Sequence, residues 1–186
     1  MKIDSRDLSL IAAIGALYAG LVIVQGLSAA ATIQLRIADC LIVLCSLLGW
    51  PAILGVTLGC FVSNTYTSAT LSNGVYDVFL GPLANLIAGT LIYVARKRRL
   101  AGCVSGAVAI GLIVGSYVWM IFTPPSAIFG IALPTNWPIW TLSVVSITTS
   151  SLVAIAIVGY ILLTILSRST IIEPLKSKGL KVASQD

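Results

Sequence analysis

The chain of 186 residues is 58% hydrophobic and 9% charged, with a mean hydropathy of +1.05. A soluble domain carries about 25% charged residues, so this composition excludes a soluble fold and specifies a polytopic, all-α membrane protein with a single domain. The net charge of +5 does not point to nucleic acid, because ten of the eleven Lys and Arg residues fall in three clusters: Lys2 with Arg6, Arg96 to Arg99, and Arg168, Lys176, Lys178 and Lys181. Basic clusters that flank apolar spans set topology.

Residues 1–7 do not read as a cleavable signal, since the apolar run after them is too long for one. That run, about 8–30, is the first predicted span. Crossing the hydrocarbon takes about 20 helical residues, so the apolar stretch 37–67 is either one overlong helix or two short ones, 37–49 and 52–67, hinged at Gly49-Trp50-Pro51. Pro51 suits the first turn of a new helix. Further spans follow at about 76–95, 104–123 and 139–166. Six helices leave both termini and the Arg96–Arg99 loop on the cytoplasmic side, whereas five would move that basic loop outside. The six-helix reading makes the chain a multi-pass protein of the cell membrane.

External loops are expected at 31–36, 68–75 and 124–138, the last held stiff and extended, like a lid, by Pro124, Pro125, Pro134 and Pro138. A basic, loosely ordered cytoplasmic tail, 168–186, closes the chain. The cysteines Cys40, Cys45, Cys60 and Cys103 lie in apolar segments without a CxxC spacing, and there is no histidine. No metal site and no cofactor is expected.

Between Leu8 and Val94 the only charged residues are Arg36, Asp39 and Asp77, and from Leu100 to Ser167 there are none. A charge within a span costs roughly 2.5–3.5 kcal/mol on insertion scales, so those retained mark a pathway or a ligand site. Arg36, Asp39, Asn64, Tyr66 and Asp77 all approach the outer surface in the six-helix topology. Arg36 and Asp39, spaced i and i+3, would share a helix face, with Arg36 orienting Asp39. Asp77, Gly81 and Asn85 form a row on one face, with Asn85 about 12 Å deeper than Asp77. The pattern predicts a pocket entered from outside. The plainer alternative is an Arg36–Asp39 ion pair and an Asp77 helix cap at the wet interface. Trp137 and Trp140 suit an interfacial aromatic belt.

Small residues recur every fourth position at Ala12-Ala16-Gly20, Gly55-Gly59, Gly102-Gly106 and Gly111-Gly115. Such faces let helices approach closely in lipid. Internal packing is expected for the later pairs, and an external partner for the first-helix stripe. Neither a nucleotide-binding signature nor a nucleophile with a base in reach is present. The serines and threonines of the last helix, including Ser150 and Ser151, read as helix–helix hydrogen bonds or pocket lining, and no catalytic residue is expected.

Three ordered stretches resemble the QueT family of membrane proteins. Arg36-Ile37-Ala38-Asp39-Cys40-Leu41 is similar to that family's R-I-S-E-A-L. The segment Gly55 to Asn64 (GVTLGCFVSN) resembles G-L-F-x-G-C-x-x-A-N, and Asp77 to Leu86 (DVFLGPLANL) resembles D-x-x-F-G-x-L-A-T-L. The resemblance implies a substrate-binding S component of an energy-coupling-factor (ECF) vitamin transporter associated with queuosine precursors. It further implies six helices, a pocket near the external face, a first-helix face for a transmembrane T component, and two ATPase subunits that supply energy. The bundle would tilt or topple against the T component to deliver its cargo.

A purine-like 7-deazaguanine ligand, such as pre-queuosine amine or queuine, would present N1–H and 2-amino donors to Asp39 and an aminomethyl cation to Asp77. Asn64 and Asn85 would read the remaining groups, with Tyr66 or Trp140 covering the ring. The chain departs from the family pattern at Asp39 for Glu and Asn85 for Thr, at Pro82 within a helix, and at Ser116 and Ser150-Ser151, where the last two helices of the family carry glutamates. Open alternatives are an S component for another vitamin, a small-solute transporter or channel that works without a partner, and a structural or assembly subunit.

Overall fold

A computed structural model describes residues 4–26, 36–69, 74–123, 126–128, 130–134, 136–177, 179 and 182–183. Lys2, the expected end of the first span (27–30), most of the first external loop (31–35), Pro124, Pro125, Lys178 and Lys181 lie outside the described residues.

Helix α1, Ser5–Gln25, starts on a capping box: the Asp4 side chain accepts from the Asp7 N–H, and Asp7 accepts from the Asp4 N–H. This reciprocal pairing satisfies two of the orphan donors at a helix start. The next segment is not an α-helix throughout. Ile37–Leu44 winds as a 3-10 helix and continues into the single turn α2, Cys45–Leu48. Gly49 then breaks the chain at φ +64, a left-handed conformation that favours glycine. Helix α3, Trp50–Ser68, starts immediately, with Pro51 in its first turn, where the missing N–H has no consequence.

Helix α4 is Val75–Val94, and a short 3-10 turn, Arg96–Arg98, leads into α5, Arg99–Val118. The proline-rich loop is not extended throughout. It forms a hairpin of β1, Ala127–Ile128, and β2, Ile131–Ala132, turned at Gly130 with φ +81. The last long helix has three parts: α6, Ile139–Ser151, a π-helix, Leu152–Gly159, and α7, Tyr160–Leu166. The tail, expected to be loosely ordered, contains a short helix α8, Ser169–Ser177.

Among the described residues the structure is mostly helical, with the hairpin as its strand element. Four helical stretches among the described residues are long and apolar enough to cross a membrane: Ser5–Gln25, Val75–Val94, Arg96–Val118 and Ile139–Leu166. The apolar helix Ile37–Leu48 is shorter. With about 2.0 Å per 3-10 residue and 1.5 Å per α residue, it rises roughly 22 Å against a hydrocarbon core of about 30 Å.

Helix α1 packs on α3, α3 on α4, α4 on α5 and α5 on α6, while the 3-10 helix contacts the π-helix, α1, α3 and α4. Every residue from Ala38 to Val43 is buried, so this short helix, apolar almost all round, forms the centre of the molecule. Glycines set the closest approaches. A Cβ on Gly59 would lie 2.6 Å from the Gly15 carbonyl oxygen, and one on Gly115 would lie 2.6 Å from the Val144 Cα. The Gly55-Gly59 and Gly111-Gly115 pairs therefore serve internal packing.

The two ends of the bundle differ in character. At one end Arg6 reaches the Gly179 carbonyl, the Ala183 N–H donates to Leu47 O, and Arg96 lies over the Tyr93 ring. Tyr93 in turn packs on Gly49 and Trp50. Arg6, Arg96 and the tail at Gly179 and Ala183 thus lie at the end of the bundle that holds the α2–α3 turn. At the other end the chain segments at Gly26, Arg36, Ser68, Gly74 and Phe122 surround a cavity.

Candidate ligand site

The cavity has a volume of about 380 Å³, within the range that holds small ligands. Its walls differ in chemistry. Arg36, Asp39, Asp77 and Asn85 supply polar groups on one side, with Gly81 between the last two. Ile110, Val114 and Val118 of α5, with Ile121, Phe122 and Ile147, supply an apolar wall. Val22 and Ile23 of α1, Tyr66, Thr67 and Ser68 of α3, and Ser150 and Ser151 of α6 complete it. Such a site can take a small solute that carries both polar and apolar groups.

Arg36 precedes the 3-10 helix in an extended conformation, φ −75 and ψ 97, so it does not share a helix face with Asp39. Its side chain turns instead to α3 and α4. Nη2 donates to Asn64 Oδ1 at 2.9 Å and to Asp77 Oδ2 at 3.2 Å. The expected role of Arg36 in orienting Asp39 is therefore corrected: its ion pair is with Asp77. Asp77 is not a helix cap either, because Gly74 occupies the N-cap position without a side-chain bond. Its second oxygen, Oδ1, accepts from the Tyr117 hydroxyl at 2.5 Å. Both oxygens of Asp77 are thereby engaged by protein donors.

Asn64 is fully buried and ties the network together, its Nδ2 donating to the Asp77 carbonyl at 2.8 Å. It does not line the cavity but stands behind Gly81, whose Cβ position is occupied by the Asn64 amide nitrogen. The row Asp77–Gly81–Asn85 does face the cavity. Asn85, 3% exposed, donates to the Val56 carbonyl at 3.4 Å.

Asp39 lies on the 3-10 helix, 5% exposed, and accepts from the Tyr18 hydroxyl at 2.6 Å on Oδ1. Among the described residues no cation forms an ion pair with it. A buried carboxylate with one neutral donor is costly unless a further partner arrives. No described residue donates to Oδ2 of Asp39.

Tyr66 borders the cavity while remaining largely exposed. Trp140 does not border it: the ring is 54% exposed on the first turn of α6, where it suits the interfacial belt rather than a cover over a ligand. Sequence reasoning missed Tyr18 and Tyr117. Each sits in an apolar helix where an aromatic reads as packing, and only the third dimension shows its hydroxyl on an aspartate. Ala12, Ala16 and Gly20 are all exposed on α1, away from its buried side at Ile11, Ile14, Tyr18 and Val22, and nothing lies within 4 Å of a Cβ placed on Gly20.

No metal-binding cluster of His, Cys, Asp or Glu occurs among the described residues. No curated protein and no solved structure matches the chain. The QueT transporter family profile matches residues 8–168, a range that takes in all but the first three residues of α1, every helix from there to α7 and every residue around the cavity. The chain belongs to the QueT transporter family and is a multi-pass membrane transporter.

Proposed function

We propose that the protein is the substrate-binding S component of an ECF-type importer. It captures a queuosine precursor, a 7-deazaguanine such as pre-queuosine amine or queuine, from outside the cell. The observation that carries this reading is Asp39, a buried carboxylate on the cavity wall to which, among the described residues, only the Tyr18 hydroxyl donates. A 7-deazaguanine offers N1–H and 2-amino donors along one edge, which match a carboxylate. Its flat face then rests on Ile110, Val114 and Val118, and Asn85 and Ser151 are within the same cavity for its remaining polar groups. Asp77 is already paired with Arg36 and Tyr117, so in this reading it closes the mouth rather than receiving a cationic substituent.

Six crossings with both termini cytoplasmic accord with the placement of Arg6, Arg96 and the tail at the end opposite the cavity. In this topology the helix pair Ile37–Leu48 and Trp50–Ser68 makes the second and third crossings. The exposed stripe Ala12, Ala16 and Gly20 is the face for the T component, and two ATPase subunits provide the energy that nothing in this sequence supplies.

Uptake of radiolabelled 7-deazaguanine into cells that produce this chain with an ECF module tests the proposal. Accumulation is expected only with the module and should disappear in Asp39→Ala. Accumulation without the module would instead establish a partner-independent transporter. Uptake of a different vitamin would keep the S-component class and remove the ligand.

A further inference from the structure

Two aspartates border the cavity, and each accepts a tyrosine hydroxyl on Oδ1: Tyr117 on Asp77 at 2.5 Å and Tyr18 on Asp39 at 2.6 Å. They differ in the second oxygen. Asp77 Oδ2 is taken by Arg36, whereas no described residue donates to Asp39 Oδ2. Neither tyrosine borders the cavity, so each acts through its aspartate.

Tyr18 is fully buried, and a buried phenol needs an acceptor. Its position is fixed from behind. A Cβ on Gly59 would lie 2.8 Å from the Tyr18 Cβ, so the bare glycine lets α1 press onto α3 and carries the ring to the 3-10 helix. Held at its Cβ in this way, the side chain brings its hydroxyl onto Oδ1 of Asp39.

We infer that Tyr18 is a positioning residue for substrate choice, which holds Oδ1 of Asp39 so that Oδ2 is the oxygen offered to the cavity. The inference rests on the functional reading above. The carboxylate plane, and not its charge alone, then decides which base is preferred. A base whose 2-amino group donates to Oδ2, with its N1–H on the second lone pair of Oδ1, is matched to this plane, and one lacking the 2-amino donor forfeits the charge-assisted bond to Oδ2.

The test compares binding of 7-deazaguanine and 7-deazahypoxanthine, which lacks that amino group, to the detergent-purified full chain. The wild type should prefer 7-deazaguanine by about tenfold or more, as one hydrogen bond to a charged group implies. Tyr18→Phe should bring the preference below about threefold by weakening 7-deazaguanine selectively. Tyr117→Phe, which removes the matching bond from Asp77, should shift both bases together and leave the ratio standing.

A purely structural Tyr18 would weaken both bases alike, and that result overturns the inference. So does an equal collapse of the ratio in Tyr117→Phe. If Tyr18→Phe does not fold, Asp39→Glu replaces it: the charge is kept while the carboxylate moves by one methylene, and an unchanged ratio overturns the inference. A wild type that binds neither base removes the functional reading, and this inference with it.

Discussion

At the residue scale the site is a division of labour between two carboxylates of the same type. Asp77 is matched by Arg36 and Tyr117, whereas among the described residues only Tyr18 donates to Asp39. Asp39→Asn keeps the shape of the side chain and removes the charge. It should weaken binding of 7-deazaguanine by about tenfold or more, given roughly 1.5–3 kcal/mol for a hydrogen bond to a charged group, measured by equilibrium binding to the purified protein. Gly81 makes a different prediction. Its missing Cβ is replaced in space by the Asn64 amide. Gly81→Ala should displace Asn64 from Arg36 and Asp77 and destabilise the fold by about 1–3 kcal/mol, seen as a lower Tm. An unchanged Tm would show that the amide has room to move. The charged residues were legible in the sequence because charge inside a span is rare. The tyrosines were not, because nothing local distinguishes a phenol that packs from one that also bonds.

At the element scale, two uncommon helices pack together at the centre. The 3-10 helix carries Asp39, and the π-helix follows Ser150 and Ser151 without a break. Long runs of either form are unusual, and each is found where tertiary demands override the α-helical ladder. Gly159 is the contact: a Cβ there would lie 2.6 Å from Val43 Cγ1 and 3.3 Å from the Cys40 carbonyl oxygen. Gly159→Ala should therefore cost about 1–3 kcal/mol and weaken ligand binding by shifting the helix that bears Asp39. A binding isotherm and a melting curve on the same preparation check both effects. Hydrophobicity marked the apolar segments, and Gly49-Trp50-Pro51 marked a hinge. Helix type was invisible, since a continuous apolar run has the same appearance whether it winds with three, 3.6 or more residues per turn. The relation of Arg36 to Asp39 failed for the same reason, because the i,i+3 rule applies within a helix and Arg36 stands before one.

At the scale of the whole molecule, charge and cavity occupy opposite ends. Arg6, Arg96 and the tail lie at the end that holds the Gly49 turn, and the Arg36–Asp77 pair borders the cavity at the far end. In the proposed topology, which puts Arg96–Arg99 in the cytoplasm, a membrane-impermeant maleimide should label Ile131→Cys in intact cells and Lys97→Cys only after permeabilisation, in a background lacking the four native cysteines. Labelling of Lys97→Cys in intact cells would contradict the topology. The number of crossings was harder to read than the fact of crossing, because Ile37–Leu48 is shorter than the hydrocarbon core is thick.

The most direct measurement is the thermal stability of the detergent-purified protein with and without 7-deazaguanine, alongside Asp39→Ala. A ligand that binds only the folded state at a hundredfold excess over Kd adds about 2.7 kcal/mol. The account predicts a clear rise in Tm for the wild type and none for Asp39→Ala. An equal rise in both would show that Asp39 does not read the ligand. No rise in the wild type, in detergent conditions where a known S component responds to its vitamin, would contradict the claim that this cavity is a 7-deazaguanine site.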